Sequence, residues 1–183
     1  EHDPDEVESA VMLKCRMSTL SLVMFVAFVS IPAWGENRLT GVPAIITGDT
    51  LEVAGRLVRL VGVDAPETGQ SCLLADGRAY DCGLVAKTAL MDLTAGVSVS
   101  CKLIQTKATI PTVALCKAGG YDLSKGMAHT GWALAWPREG MVYAGIERYA
   151  RQKKHGLWKG RFVAPWDWRR GQREHNLGAG KPE

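Results

Sequence analysis

The stretch that most constrains this chain is RLTGVPAIITGDTLEVAGRLVRLVGVDAPE, residues 38–67. It reads as three short strands separated by turns. Gly48-Asp49-Thr50 parts the first from the second, and Ala54-Gly55-Arg56 makes a tight turn before the third. In the third, Leu57, Arg59, Val61 and Val63 alternate with Val58, Leu60 and Gly62, the period-2 pattern of a strand. Pro66 ends it, because proline has no N–H to give to a ladder. Three carboxylates, Asp49, Asp64 and Glu67, stand at the ends of these strands, and Arg59 lies among apolar neighbours.

Downstream, residues 68–82 read as a loop with Cys72 and Cys82 near its ends. In GLVAKTALMDLTAG, Ala86, Ala89, Leu90 and Leu93 fall on one helical face, and Gly96 is placed to stop the helix. Val97, Val99, Cys101 and Leu103 alternate with polar residues, and a second apolar run covers Ile110 to Cys116. A hairpin centred near residues 108 and 109 would set Cys101 opposite Cys116. Asp122 suits the N-cap of a helix that Gly131 ends. A third helix sets Ile146, Tyr149 and Ala150 on one side and basic residues on the other, and Gly156 is placed to stop it. The last segment has little periodicity, and Phe162, Trp166 and Trp168 are expected to pack against the domain. Three strands, a helix, two strands and two helices make an α+β, mainly β, chain: a five-stranded OB-fold barrel with three helices.

At 183 residues the chain suits one such domain. Its first 35 residues read differently. Lys14 and Arg16 precede an apolar run from Leu20 to Ile31, followed by Ala33-Trp34-Gly35, the order of a secretory signal cleaved near Gly35-Glu36. That run is shorter than the roughly 20 residues of a membrane span. The expected organisation is residues 1–35 as leader, 36–170 as the domain and 171–183 as a disordered basic tail. Export to the periplasm or beyond follows, with no stable membrane anchor.

Without residues 1–35 the chain carries 20 Lys/Arg against 14 Asp/Glu. The excess lies in residues 138–183, with 11 basic against five acidic residues, which is compatible with a polyanion partner. Cys15 leaves with the leader. The remaining four, Cys72, Cys82, Cys101 and Cys116, are an even number for an oxidising compartment. Three connectivities are open, and pairing of sequence neighbours suits the loop and the hairpin; buried free thiols are the alternative.

GDTLEV, RLVGVDAPETG, GGYDL, GWALA, ERYAR, HGLWKGRF and PWDWR, in that order, resemble the staphylococcal-nuclease (thermonuclease) family from about residue 40 to residue 170. The resemblance implies calcium-dependent hydrolysis of phosphodiester bonds in DNA or RNA, single-stranded nucleic acid as partner, and a monomer. It implies that Asp49 and Asp64 bind Ca2+ together with the main-chain carbonyl of Ala65, where the family usually has threonine. Glu67 would orient or activate the attacking water, and Arg59 would hold the phosphate. These residue types suit the chemistry. Calcium takes six to eight oxygens, a neighbouring carboxylate can accept a proton from water, and a guanidinium fork matches two phosphate oxygens.

One departure stands out. The family's second phosphate-binding arginine falls at Pro111, with Lys107, Thr109 and Ile110 in the flanking positions and Thr47 where an acidic residue commonly precedes GDT. Losing one preorganised donor costs on the order of 10²–10³ in rate. A slow nuclease is therefore one expectation. The alternative is a catalytically impaired module that binds nucleic acid or another polyanion in the cell envelope.

Overall fold

The alternating segment forms five strands: β1 (Arg38–Gly41), β2 (Ala44–Ile45), β3 (Thr50–Val53), β4 (Arg56–Leu60) and β5 (Val63–Asp64). The computed structural model describes residues 37–104 and 111–173. Three strands were expected here, and two local features divide them further. Val42-Pro43 interrupts the first, where proline cannot donate. Gly62, at φ +74°, breaks the third and turns Val63 and Asp64 away from the main sheet. They pair instead with β11 (Leu134–Ala135), placing Asp64 opposite Leu134.

Beyond the carboxylate segment come β6 (Ser71–Leu73), β7 (Ala79–Asp81), helix α1 (Cys82–Thr94), β8 (Val99–Leu103), β9 (Thr112–Ala118) and β10 (Tyr121–Asp122). Helices α2 (Leu123–His129), α3 (Ala144–Gln152) and α4 (Pro165–Arg169) complete the chain, with single 3-10 turns at Pro137–Glu139 and Gly156–Lys159. The main sheet has the order β1-β8-β9-β4-β3-β2, with β10 on β9. Only β4 and β9 run parallel within it.

The connectivity forces this sheet to curl. Strands β1 and β2 are its two edges, yet only Val42 and Pro43 join them. Six flat strands would hold those edges about 24 Å apart at a spacing near 4.8 Å. Three consecutive Cα steps reach at most about 11 Å. The edges must therefore approach one another, as in the expected OB-type barrel.

The inward faces fill the barrel. Leu51, Val53, Val58, Leu60, Val99, Cys101, Ala114 and Cys116 are buried with Ala86 and Leu90 of α1 and Leu123 and Met127 of α2. Caps act where expected: Asp122 accepts the Lys125 N–H at 3.1 Å, and Gly96 and Gly131 take positive φ just past α1 and α2. Asp81 caps α1 through the Leu84 N–H at 2.8 Å.

The cysteines pair as sequence neighbours. Cys101 stands directly opposite Cys116 in the β8–β9 register and is bonded to it. Cys72 is bonded to Cys82, ten residues on. The midpoint of the β8–β9 hairpin, with Lys107, Thr109 and Ile110, lies outside the described residues, as do residues 1–36, Cys15 among them, and residues 174–183.

Three expectations need correction. Residues 68–82 are not a plain loop, because β6 and β7 form a hairpin around Asp76-Gly77, a turn dipeptide that the sequence does carry. Helix α3 ends before Gly156; Lys154 takes the left-handed conformation at φ +53°. The final segment is partly helical. Pro165 opens α4 at a position where its missing N–H costs nothing. Trp166 packs on a second buried cluster made by Cys72, Cys82, Leu134 and Leu157.

Candidate active site

Asp49 and Asp64 are brought together by a close approach of two loops. Gly48 lies so near Ala65 and Ala86 that an added Cβ would sit 2.8 Å from each of their Cβ atoms. Only glycine permits this contact. The Asp49 carboxylate then reaches the residue following Asp64: Oδ2 accepts the Ala65 N–H at 3.2 Å. Its Oδ1 accepts the hydroxyls of Thr47 (2.9 Å) and Thr50 (2.8 Å). Thr47, at the position where an acid was expected, thus orients Asp49.

Glu67 sits on a turn clamped from below. Its N–H donates to Oε1 of Gln70 (3.0 Å), and its carbonyl accepts the Gln70 N–H (2.9 Å). Gln70 is fully buried and anchored through Nε2 to the Val163 carbonyl at 2.8 Å. The Cys72–Cys82 bridge and the Cys82 N–H on the Gln70 carbonyl (3.0 Å) hold the same corner.

Arg59 is on β4 opposite Thr50. Its Nη1 donates to the carbonyls of Leu60 (3.2 Å) and Val63 (3.3 Å), and its Nη2 pairs with Oε1 of Glu139. The guanidinium lies over the Trp136 ring, 4.3 Å from its centroid. Glu139 also accepts the Gly62 N–H.

A second guanidinium comes from α4. Arg169 Nη1 and Nη2 donate to Oδ1 (2.9 Å) and Oδ2 (2.6 Å) of Asp64, a two-pronged grip, and Nη1 also reaches Glu67. Asp64 is buried, whereas 41% of the Arg169 side chain is exposed. Burial pushes the Asp64 carboxyl above its ordinary value; Arg169 pulls it back, and Asp49 and Glu67 push it further up. The net direction is upward even with Arg169 in contact, and burial is its largest cause.

Asp49, Arg59, Asp64, Glu67, Pro111, Trp136, Arg138 and Arg169 line one open cleft of about 450 Å³. The four side chains predicted from sequence are therefore neighbours, and Pro111 faces the same space. A second cleft of about 330 Å³ adjoins it, lined by Trp136, Pro137, Arg138, Trp166, Arg169 and Arg170. Three of its lining residues belong to both.

Sequence reasoning missed Glu139, Trp136 and Arg169. Arg169 lies 105 residues from Asp64 and Glu139 lies 80 from Arg59, so no local pattern could pair them. The basic excess after residue 138 was the one available signal.

The donor set is suited in type to a hard cation, since every candidate ligand is an oxygen. The charges fit as well. Arg59 is paired with Glu139, which leaves Asp49, Asp64 and Glu67 against Arg169 and Arg138 on this cleft, an excess of one negative charge. Among the described residues, no three His, Cys, Asp or Glu converge as an assembled metal-binding group. Arg169 holds both Asp64 oxygens that such a group would need.

A curled barrel sheet capped by helices, with paired aspartates and an arginine on one cleft, defines a nuclease-type OB domain. The chain belongs to the staphylococcal nuclease homologue family, whose model matches residues 57–160. It is 30% identical over 164 residues to the micrococcal nuclease of Shigella flexneri, covering 79% of this chain and 87% of that protein. It is 29% identical over 144 residues to the succinoglycan biosynthesis protein ExoI of Rhizobium meliloti (strain 1021), covering 77% of this chain and 75% of that one. Among the described residues, no helix is long and apolar enough to cross a membrane.

Proposed function

We propose that this protein is an exported, calcium-dependent phosphodiesterase that hydrolyses single-stranded DNA or RNA. The observation that carries this reading is the convergence of Asp49, Asp64, Glu67 and Arg59 on one cleft, within a family of nuclease homologues.

Asp49, Asp64 and the Ala65 carbonyl would hold the cation. Once bound, it supplies a Lewis acid to a phosphate oxygen. Glu67, partly exposed and held by the Gln70 turn, orients water and takes its proton. Arg59, kept rigid by two carbonyls, Glu139 and Trp136, presents its remaining N–H groups to the phosphate. Water attacks phosphorus, the ester P–O bond breaks, and the departing oxygen takes a proton from solvent water in the open cleft. The adjoining cleft offers two indoles and three guanidiniums. This lining suits an unpaired base and its backbone and supports a single-stranded substrate. The domain at residues 36–170 acts as a monomer after loss of the leader. Two disulfides suit an oxidising compartment.

A second reading is a polyanion-binding module with little catalysis. Pro111 on the cleft favours it, as does a groove on another face where Arg38, Lys102 and Lys117 gather. One experiment separates the two: incubation of the purified protein with single-stranded DNA in calcium and in chelator. Cleavage only in calcium, reduced at least 10²-fold in Glu67→Gln, supports the hydrolase. Salt-sensitive binding without cleavage supports the module.

A further inference from the structure

Arg169 holds Asp64 through both carboxylate oxygens and also touches Glu67. Both residues are assigned to the reaction above, so this inference rests on that reading. The geometry points to Arg169 as an exchangeable cation. It occupies the carboxylates while the divalent ion is absent, yields Asp64 when the ion arrives, and then contacts the substrate phosphate as the second guanidinium.

Four observations converge on this role. First, Arg169 donates to both Asp64 oxygens and sets its positive charge against them, so an arriving ion competes with the guanidinium for the same carboxylate. Second, the two arginines of the site are seated unlike one another. Arg59 is 15% exposed and held by two carbonyls, a carboxylate and an indole. Arg169 is 41% exposed and its described partners are Asp64 and Glu67, so release of the carboxylates frees its whole fork. Third, it already lines the cleft with Arg59 and Pro111, and also the neighbouring Trp136–Trp166 cleft. A side chain pivoting about α4 stays in the space where a phosphodiester would lie. Fourth, Asp49, Asp64 and Glu67 outnumber Arg169 and Arg138, the cleft guanidiniums other than the Glu139-paired Arg59, so the group still draws a cation. When the ion enters, the guanidinium released from Asp64 faces the negative phosphate.

Helix α4 lies beyond residue 160, where the family match ends. The second arginine of this site therefore comes from a different element than the β8–β9 hairpin, where Pro111 stands. Arg138 is also on the cleft, but it touches none of the three carboxylates by hydrogen bond or ion pair.

Two readouts on the purified protein test the exchange: calcium affinity by calorimetry without nucleic acid, and single-stranded DNA cleavage at saturating calcium. The variants are Arg169→Gln and Arg169→Lys. Arg169→Gln is expected to bind calcium at least tenfold tighter, since the ion no longer competes with a guanidinium. The same variant is expected to lose 10²–10³ in cleavage rate, the scale of one missing charge-stabilising donor. Arg169→Lys should fall between wild type and Gln in both measurements. Equal or weaker calcium binding by Arg169→Gln overturns the exchange, and unchanged or faster cleavage overturns the phosphate contact. Asp49→Asn separates the parent reading: wild-type calcium binding unaffected by that change overturns the assignment of the cation site itself.

Discussion

Arg59 and Glu139 form an ion pair across 80 residues of sequence, with each side chain less than one-fifth exposed. Glu139 comes from the Pro137–Glu139 turn after β11 and also accepts the N–H of Gly62. One carboxylate thus fixes both Arg59, the proposed phosphate contact, and the kink that sends Asp64 to its place. Glu139→Gln keeps the shape and an acceptor for Gly62 but removes the charge facing Arg59. Stability is expected to fall by about 1–3 kcal/mol, the cost of leaving a partly buried charged donor poorly matched. Denaturant unfolding measures this, and an unchanged midpoint contradicts it.

Gly48 sets the distance between the two aspartate loops. Gly48→Ala would drive a methyl group to 2.8 Å from the Cβ atoms of Ala65 and Ala86. Overpacking of this kind costs about 1–3 kcal/mol. The loops must separate to relieve it, so calcium affinity should fall together with stability. A variant with lowered stability and undiminished calcium affinity would disconnect Gly48 from the cation site.

The disulfides should differ in what they protect. Cys101–Cys116 closes 15 residues inside the buried sheet, and its removal should cost about 3 kcal/mol by loop entropy. Cleavage below the unfolding temperature should survive. Cys72–Cys82 braces the corner where Gln70 holds Glu67, so Cys72→Ser/Cys82→Ser should lower cleavage as well as stability. Assays of both double variants well below their melting temperatures distinguish these outcomes.

The pattern of these contacts shows where the sequence was legible. Period-2 alternation set Cys101 opposite Cys116, and the turn residues placed Asp49, Asp64 and Glu67 at strand ends, because both signals are local. The grouping of these residues around one cleft was anticipated through the family resemblance. Helix α4 has five residues, too few for helical periodicity to register, and its Trp166 packs against the cluster of Cys72, Cys82, Leu134 and Leu157. The Arg169 and Glu139 contacts depend on how α4 and the Pro137 turn fold back onto the barrel. The split of one expected strand at Gly62 depends likewise on β11 arriving to pair with Val63 and Asp64.

Glu147 provides a pH-dependent test of that support. From α3 its carboxylate accepts the N–H of Ala135 on β11. Burial raises it above the ordinary value of 4.5, opposed by the Ala135 bond and by Arg151. The folded chain therefore holds this proton more tightly than the unfolded chain. The stability from this group is fully present below 4.5 and is lost as pH rises through the higher folded value. Glu147→Gln keeps the Ala135 bond and removes the titration. Wild-type minus variant unfolding free energy should decline as pH rises from 4 toward neutrality, then level. A flat or rising difference contradicts the assignment.

The proposal that Asp49 and Asp64 share a cation is tested most directly by calcium-titrated cleavage of single-stranded DNA in the wild type and in Asp49→Asn. The wild type should cleave only with calcium and saturate, and Asp49→Asn should need at least tenfold more calcium for half-maximal rate. Cleavage that persists in chelator, or a calcium requirement that Asp49→Asn leaves unmoved, would contradict it.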